Sequence, residues 1–320
     1  MLNKKVSIII ATRNRAESLK QLLESLKKIY ILGDPNIEVV IIDNNSTDNS
    51  TLDLCNKYPV VYIKENRKGE SFALNTGMKV SNGEYIINTD DDVIIKDKNW
   101  VEKLLQHFTK NKNLGYVSGN VCIFNDKNNV ANLWEKKGGL SKGINSKLYK
   151  NIDLIKDYKM IPWPINKIAA GANNMISRKV FDKVGPYATF LGGGSPIGHG
   201  NSLEFVYRVI KAGYDVEYDS TAIIYHKHPT DKKSLKNKLY TYGVGNSAYQ
   251  LYIFAKHFDF RSLYWGLLGH HLYVIKNLLK SFFKKYPLPP SYVLKSLEGS
   301  LIGTFSFILK YPFRNKKIYP

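Results

Sequence analysis

The sequence predicts an α/β fold with a mostly parallel sheet, helices on both faces and a helical C-terminal extension. Three observations predict it. Short β-branched runs recur along the first 95 residues. Helical periodicity fills the gaps between them. Polar clusters close the runs. Strand, helix and strand at this spacing make βαβ units.

The elements follow in order. Val6-Ser7-Ile8-Ile9-Ile10 is a nearly continuous apolar run, as a strand buried on both faces requires. Leu19, Leu22, Leu23 and Leu26 stand at i, i+3, i+4 and i+7 and mark an amphipathic helix. Glu38 to Ile42 is a second strand, ending at Asp43-Asn44-Asn45-Ser46, where Ser46 or Asp48 is placed to cap the next helix. Val60 to Ile63 reads as a third strand. Ser71 to Val80 reads as a helix stopped by Asn82-Gly83. Glu84 to Asn88 is a fourth strand running into Asp90-Asp91-Asp92.

Composition bounds the function. The 320 residues carry 12% aromatics, ample core material, so a disordered chain is excluded. Two cysteines, Cys55 and Cys122, form no disulfide framework and no metal spacing, which suits a reducing, cytoplasmic compartment. No signal-peptide pattern precedes Val6. The net charge of +20 first suggests nucleic acid or anionic lipid. Its distribution decides between them. After His226, 16 basic residues face three acids, a surplus of +13, against +7 before it. A boundary therefore falls near residues 226–240, giving parts 1–230 and 231–320. No zinc, helix-turn-helix or RNA-binding motif is present, and a nucleic-acid partner is not expected.

In parallel sheets ligands bind at the carboxyl ends of the strands. Those ends here are Ala11-Thr12-Arg13-Asn14-Arg15, Asp43, and Thr89-Asp90-Asp91-Asp92. Alone, Asp43 reads as a helix-leading cap, and the three aspartates as either a solvated turn or a cation site. Adjacent carboxylates repel unless solvated or neutralised. Oxygen ligands suit Mg²⁺ or Mn²⁺. Alternation along an extended chain puts Asp90 and Asp92 on one side and Asp91 on the other.

Taken together, residues 6–15, 42–48 and 88–92 resemble a family 2 glycosyltransferase of the GT-A fold. The likeness extends through Asn66-Arg67-Lys68-Gly69, Asn75-Thr76-Gly77, Gly171 to Asn174 before Arg178, and Leu191-Gly192-Gly193-Gly194 to Arg208. It implies a nucleotide-sugar donor, usually UDP-linked, a Mn²⁺ or Mg²⁺ cofactor, and inverting transfer to a glycan or lipid-linked acceptor. By the same resemblance Asp43 contacts the base. Thr12, Arg13 and Arg15 line the nucleoside, Arg67, Asp90 and Asp91 complete the donor site, and Asp92, Asp90 and His226 hold the metal. Trp163 and the Gly192–Gly200 loop are candidates for the acceptor side, with ordinary packing the alternative for Trp163. No Gly-rich P-loop is present to hold phosphates instead.

One departure stands out. Relatives carry a Glu-Asp pair, the Asp serving as general base, where this chain has Asn201-Ser202. A serine does not accept a proton at neutral pH as a carboxylate does. Glu204 and His199 are the substitute bases to consider. The alternative is a weakened protein that binds sugar nucleotide or glycan at a membrane.

The C-terminal part differs in kind. Leu267, Leu268, His271, Leu272, Ile275, Leu278, Leu279 and Phe282 follow a helical spacing, with Lys276, Lys280, Lys284 and Lys285 beside them. A spanning helix needs about 20 apolar residues with few charges, which is absent. The pattern fits a helix lying on an anionic membrane surface, peripheral to the inner face of the cell membrane. Its rival is a helical extension packed on the first part with its lysines solvated.

Overall fold

The computed structural model describes residues 5–124, 127–151, 153, 165, 168 and 170–311. Trp163 lies outside them. The strands are β1 (Val6–Thr12), β2 (Ile37–Asp43), β3 (Val61–Lys64), β4 (Tyr85–Asp90), β5 (Val93–Ile94), β6 (Leu114–Ile123), β7 (Lys147–Tyr149), β8 (Asn173–Ser177) and β9 (Asp215–His226). They form one sheet of order β3-β2-β1-β4-β8-β6-β9-β5, with β7 paired to β9.

The first four strands are parallel, as the βαβ reading requires. The sheet as a whole is mixed, because β8 enters antiparallel between β4 and β6. The polar ends of β1, β2 and β4 therefore emerge at one edge. Alternation divides β1 between two cores. Ile9 joins Val40, Ile42 and Ile86 on one face, while Ile8 and Ile10 join Val39, Ile41 and Ile87 on the other. Helix α1 (Ala16–Lys28) covers the second face with the four predicted leucines. Helices α2 (Ser50–Cys55) and α3 (Glu70–Val80) follow β2 and β3. Asp48, one of the two expected caps, accepts the Ser50 N–H at the start of α2 through Oδ1 at 2.9 Å, but Ser46 does not cap it. The helix's N-cap is Asn49, and Ser46 instead accepts a hydrogen bond from the Asn14 N–H at 2.9 Å, tying the β1 and β2 turns together.

Helix α4 (Trp100–Lys110) packs against β9, the strand that ends at His226. Its His107 bonds through Nε2 to Asp219 at 2.9 Å and approaches Glu217 through Nδ1 at 3.1 Å. Burial works against the charged ring, but the two carboxylates outweigh it and raise its pKa to about 9. A folded-state pKa above the unfolded one makes the stabilisation full below pH ~6.5 and lost as pH rises through about 9. Thermal unfolding from pH 6 to 9.5 should show this loss, on the order of 2–3 kcal/mol. His107→Gln should flatten it, and an equal slope in that variant would contradict the assignment.

Helices α5 (Asn129–Lys136), α6 (Arg178–Val184) and α7 (Asn201–Lys211) flank the remaining strands. Arg178 clasps the entry to β4, donating to the carbonyls of Gly83 and Met78 at 2.8 Å each. From Lys232 the chain is helical: α8 (Lys232–His257), α9 (Phe260–Tyr264), a π-helical turn at 265–269, α10 (His270–Phe282) and α11 (Pro290–Lys310). Val244, Ala248, Tyr249, Tyr252 and Phe307 from these helices join the same core as Phe205 and Ile176, so the extension is packed on the sheet's own core.

Two of these helices are inverted relative to ordinary amphipathicity. Helix α10 buries His270, His271, Asn277 and Ser281, while Leu272, Ile275, Leu279 and Phe282 are exposed. His271 thus lies on the inner face and not in the apolar stripe expected for it. Helix α11 buries Ser296, Gly299, Ser300, Gly303 and Thr304 against α8 and exposes Leu301, Ile302, Phe305, Ile308 and Leu309. Contact there is backbone to backbone: a Cβ on Gly299 would lie 2.1 Å from the Tyr240 carbonyl oxygen. No described helix is long and apolar enough to cross a membrane.

Candidate functional site

The site forms where β1, β2 and β4 end. Both first turns use an asparagine in the left-handed region, Asn14 (φ 52°) and Asn45 (φ 59°), which asparagine tolerates best among residues with a Cβ. These turns send Thr12, Arg13 and Arg15 back over the sheet edge. A cavity of about 480 Å³ opens there. Its wall includes Thr12, Arg13, Arg15, Asp90, Asp91, Asp92 and His226.

The three aspartates divide as alternation predicts, even though Asp91 and Asp92 lie in a turn. Asp91 turns toward β1, accepting from Thr12 Oγ1 at 2.7 Å and Arg15 Nη1 at 2.9 Å. Burial pushes its pKa up to about 6, with Arg15 opposing. Asp90 Oδ2 and Asp92 Oδ1 turn the other way, and each lies 3.2 Å from His226 Nε2. Strand β9 delivers His226 by pairing it with Val93, the residue after Asp92. The ring's Nδ1 is 2.8 Å from the Lys227 carbonyl oxygen, which leaves Nε2 directed at the carboxylates. One donor atom from each of Asp90, Asp92 and His226 lies within 4.8 Å of the others. Two carboxylates and one imidazole converging in this way fit a divalent cation.

His228 does not share this site. It is buried, and its Nε2 lies 2.7 Å from Glu135.

Arg13 Nη1 is buried without a hydrogen-bond partner among the described residues, as is Thr89 Oγ1. A buried, unpaired guanidinium nitrogen is costly and marks where an anion belongs. Lys68 and Lys238 also line this cavity.

Two residues expected at the donor site lie off the cavity wall. Asp43 is buried behind the lining, where Oδ1 accepts from the Ser46 N–H and Oδ2 from the Tyr62 hydroxyl, both at 2.9 Å. It orders the turn, and the residue reaching the cavity wall is its neighbour Asn44. Arg67 is turned away. It pairs with Glu65 through Nε at 2.9 Å and Nη2 at 2.7 Å and covers the Phe72 ring, so Lys68 takes the place at the wall.

The two substitute bases are placed differently: His199 lines the second cavity and Glu204 lines neither. Glu204 is completely buried in α7 and salt-bridged to Arg208 at 2.8 Å. Burial favours its neutral form, but Arg208 outweighs this and keeps its pKa below the usual range. It lines neither the first cavity nor the second. His199 stacks on Tyr242 with ring centroids 4.2 Å apart. Burial, with Lys238 and Lys137 nearby, pushes its pKa down to about 4 and favours the neutral ring.

A second cavity of about 260 Å³ adjoins the first. Trp134, Lys137, Lys142, His199, Ser202 and Tyr242 are among its lining residues. Burial depresses Lys137 and Lys142 to about 8, and neither has a carboxylate within ion-pair distance among the described residues. Gly171 stands between the cavities, where a Cβ would meet Ser202 Oγ at 2.6 Å.

Several wall residues escaped the sequence reading. Lys238 and Tyr242 are one helical turn apart on α8, and only the tertiary fold brings that helix over the sheet edge. Glu70, the first residue of α3, lines both cavities. The signal for it was the preceding Gly69, whose φ of 140° sets the abrupt start of the helix.

Residues 7–185 match the model of Glycosyl transferase family 2. The chain is 27% identical over 172 residues to the poly(ribitol-phosphate) β-N-acetylglucosaminyltransferase TarP of Staphylococcus aureus, covering 52% of this chain and 52% of that protein. It is 31% identical over 124 residues to the poly-β-1,6-N-acetyl-D-glucosamine synthase of Staphylococcus epidermidis, covering 38% of this chain and 29% of that one. The matches thus span about half or less of these curated relatives. The mannosyltransferase PcManGT from Pyrobaculum calidifontis, solved in complex with GDP-Man and Mn²⁺, shares the fold with a TM-score of 0.60 at 16% identity, over 97% of this chain and 88% of that one. On the family match, with the GT-A architecture and the Asp90, Asp92 and His226 cluster in agreement, the chain belongs to glycosyltransferase family 2.

Proposed function

We propose that the chain transfers a sugar from a nucleotide-sugar, UDP-linked by the family resemblance, to a hydroxyl of a glycan or lipid-linked acceptor, with inversion at the anomeric carbon. The observation that carries this reading is the convergence of Asp90, Asp92 and His226 on the wall of a cavity that also presents the unpaired Arg13 Nη1. A nucleoside diphosphate brings the anion that this arginine lacks. Thr12 and Arg15 hold Asp91, which keeps the turn in place while Asp90 and Asp92 face the diphosphate.

Asp90, Asp92 and His226 would hold Mn²⁺ or Mg²⁺. Bound there, the ion supplies neutralisation of the charge that develops on the leaving diphosphate. Arg13, Lys68 and Lys238 add positive charge along the same wall. The second cavity is the acceptor side of this reading. Its Lys137 and Lys142, without a carboxylate in ion-pair distance among the described residues, favour an acceptor carrying phosphate. The name of TarP, with its poly(ribitol-phosphate) acceptor, is in keeping with that class.

Binding is the first test. Thermal-shift titrations with UDP and GDP, each with and without Mn²⁺, should show metal-dependent stabilisation by UDP. No stabilisation by either nucleotide would remove the donor assignment.

Association with the inner face of an anionic membrane is part of the proposal. Its support is the inverted pair α10 and α11, whose exposed faces carry leucine, isoleucine and phenylalanine beside Lys276, Lys280, Lys284 and Lys285. Large exposed apolar patches mark interaction surfaces, and basic residues at their rim favour anionic lipid. Sedimentation with phosphatidylglycerol vesicles at low salt should carry the protein down, and Leu279→Glu with Phe282→Glu should release it. Binding unchanged by these substitutions would contradict this face as the contact.

A further inference from the structure

We propose that Glu70 is the general base that takes the proton from the acceptor hydroxyl, in place of the carboxylate that Ser202 lacks. The inference rests on the transferase reading above and deepens it at one position.

Geometry carries the argument. In direct displacement the base must stand where the donor and acceptor sites meet. Glu70 and Asp90 are the two carboxylate residues lining both cavities among those described. Asp90 is engaged with His226 in the candidate cation cluster. Glu204 is sealed behind α7, and Asp91 is held by Thr12 and Arg15. Glu70 is left. Ser202 lines the same two cavities, so the vacated base position and Glu70 face the same junction.

The carboxylate is held in place. The Gly193 N–H donates to Glu70 Oε2 at 2.8 Å, and the Glu70 N–H donates to the Gly193 carbonyl at 2.7 Å. This reciprocal clasp fixes the start of α3 to the glycine loop. The loop must come close: a Cβ on Gly193 would lie 3.3 Å from Glu70 Oε2. The Asn201 side chain lies beside Gly192 of the same loop, its Nδ2 buried without a hydrogen-bond partner among the described residues. Burial, helped by the Asp90 charge, raises the Glu70 pKa from the usual value while the Gly193 contact opposes this. A carboxylate shifted that way is a stronger base.

The step balances. The acceptor O–H proton passes to a Glu70 carboxylate oxygen as the acceptor oxygen bonds to the anomeric carbon. The bond from that carbon to the β-phosphate oxygen breaks, and its electron pair leaves with the nucleoside diphosphate. Protonated Glu70 then returns its proton to water.

A clasp with no catalytic part would explain the Gly193 bonds equally well, and Glu70→Gln separates the two roles. Glutamine keeps an oxygen for the Gly193 N–H but accepts no proton. The test uses the full chain with Mn²⁺ and UDP-N-acetylglucosamine, UDP-glucose or GDP-mannose, with water standing in for the acceptor and nucleoside diphosphate release as the readout. Glu70→Gln should keep nucleotide affinity within about threefold and lose on the order of 10²–10⁴-fold in kcat. Adding Ser202→Asp to that variant should restore at least part of the loss, because it returns a carboxylate to the junction. Turnover of Glu70→Gln within about fivefold of the unaltered chain would overturn the assignment, as would a loss confined to nucleotide affinity. If the unaltered chain binds UDP with Mn²⁺ but releases diphosphate from no donor, the transferase reading itself falls, and the base with it.

Discussion

Asp92→Ala is expected to lower nucleoside diphosphate release by at least about a hundredfold to a thousandfold, the scale of losing one preorganised electrostatic contact to a leaving group. Asp92 Oδ1 is buried and lies 3.2 Å from His226 Nε2, with no other role in the fold. Its Oδ2 makes only a 3.3 Å contact with the half-exposed Arg15. The variant should therefore fold normally and fail chiefly in turnover. Raising the Mn²⁺ concentration should recover part of the rate, since Asp90 and His226 remain. A rate within a few fold of the unaltered chain at ordinary Mn²⁺ would show that Asp92 holds no functional cation.

Glu204→Ala is expected to fail in the opposite way, losing roughly 3–5 kcal/mol of stability, as when one partner of a buried ion pair is removed. Arg208 would be left charged in the core. It also donates to the carbonyls of Gly185 at 3.1 Å and Pro186 at 2.8 Å, holding the chain that leads into the glycine loop. Urea unfolding measures the loss directly. The milder Glu204→Gln should keep kcat within a few fold, because its side chain reaches neither cavity. A large drop in kcat for a fully folded Glu204→Gln would restore Glu204 as the base and displace Glu70.

The contrast between these two residues shows what the sequence made legible. Asp92 is legible because it follows directly on a strand: Asp90 ends β4, the turn at Asp91 and Asp92 preserves the alternation, and β-branched runs announce the strands themselves. His226 is placed by the resemblance, since strand alternation alone would send His228 the same way, and His228 is held by Glu135 instead. Glu204 stands on a polar stripe of α7 with Asn201, Arg208 and Lys211, and the sequence does not show that this stripe is covered at Glu204 by Arg208 and the chain at 185–186. Asp43 and Arg67 were placed by resemblance, but local partners claim them: Ser46 and Tyr62 for one, Glu65 for the other. Lys238 and Tyr242 reach the site from a helix brought over the sheet edge by long-range packing. Nothing in their immediate neighbourhood encodes that approach. The exposed apolar face of α10 was legible as a helical stripe, but its buried side was not, because the core accepts His270, Asn277 and Ser281 there.

Sugar transfer from a nucleotide donor is assigned to the Asp90, Asp92 and His226 site. Its most direct measurement is nucleoside diphosphate release from a panel of UDP- and GDP-sugars, with Mn²⁺ and with chelator, for the unaltered chain and Asp92→Ala. The account predicts release from at least one UDP-sugar that requires the metal and collapses in the variant. Release that survives both the chelator and Asp92→Ala, or UDP binding with no release from any donor, would contradict it.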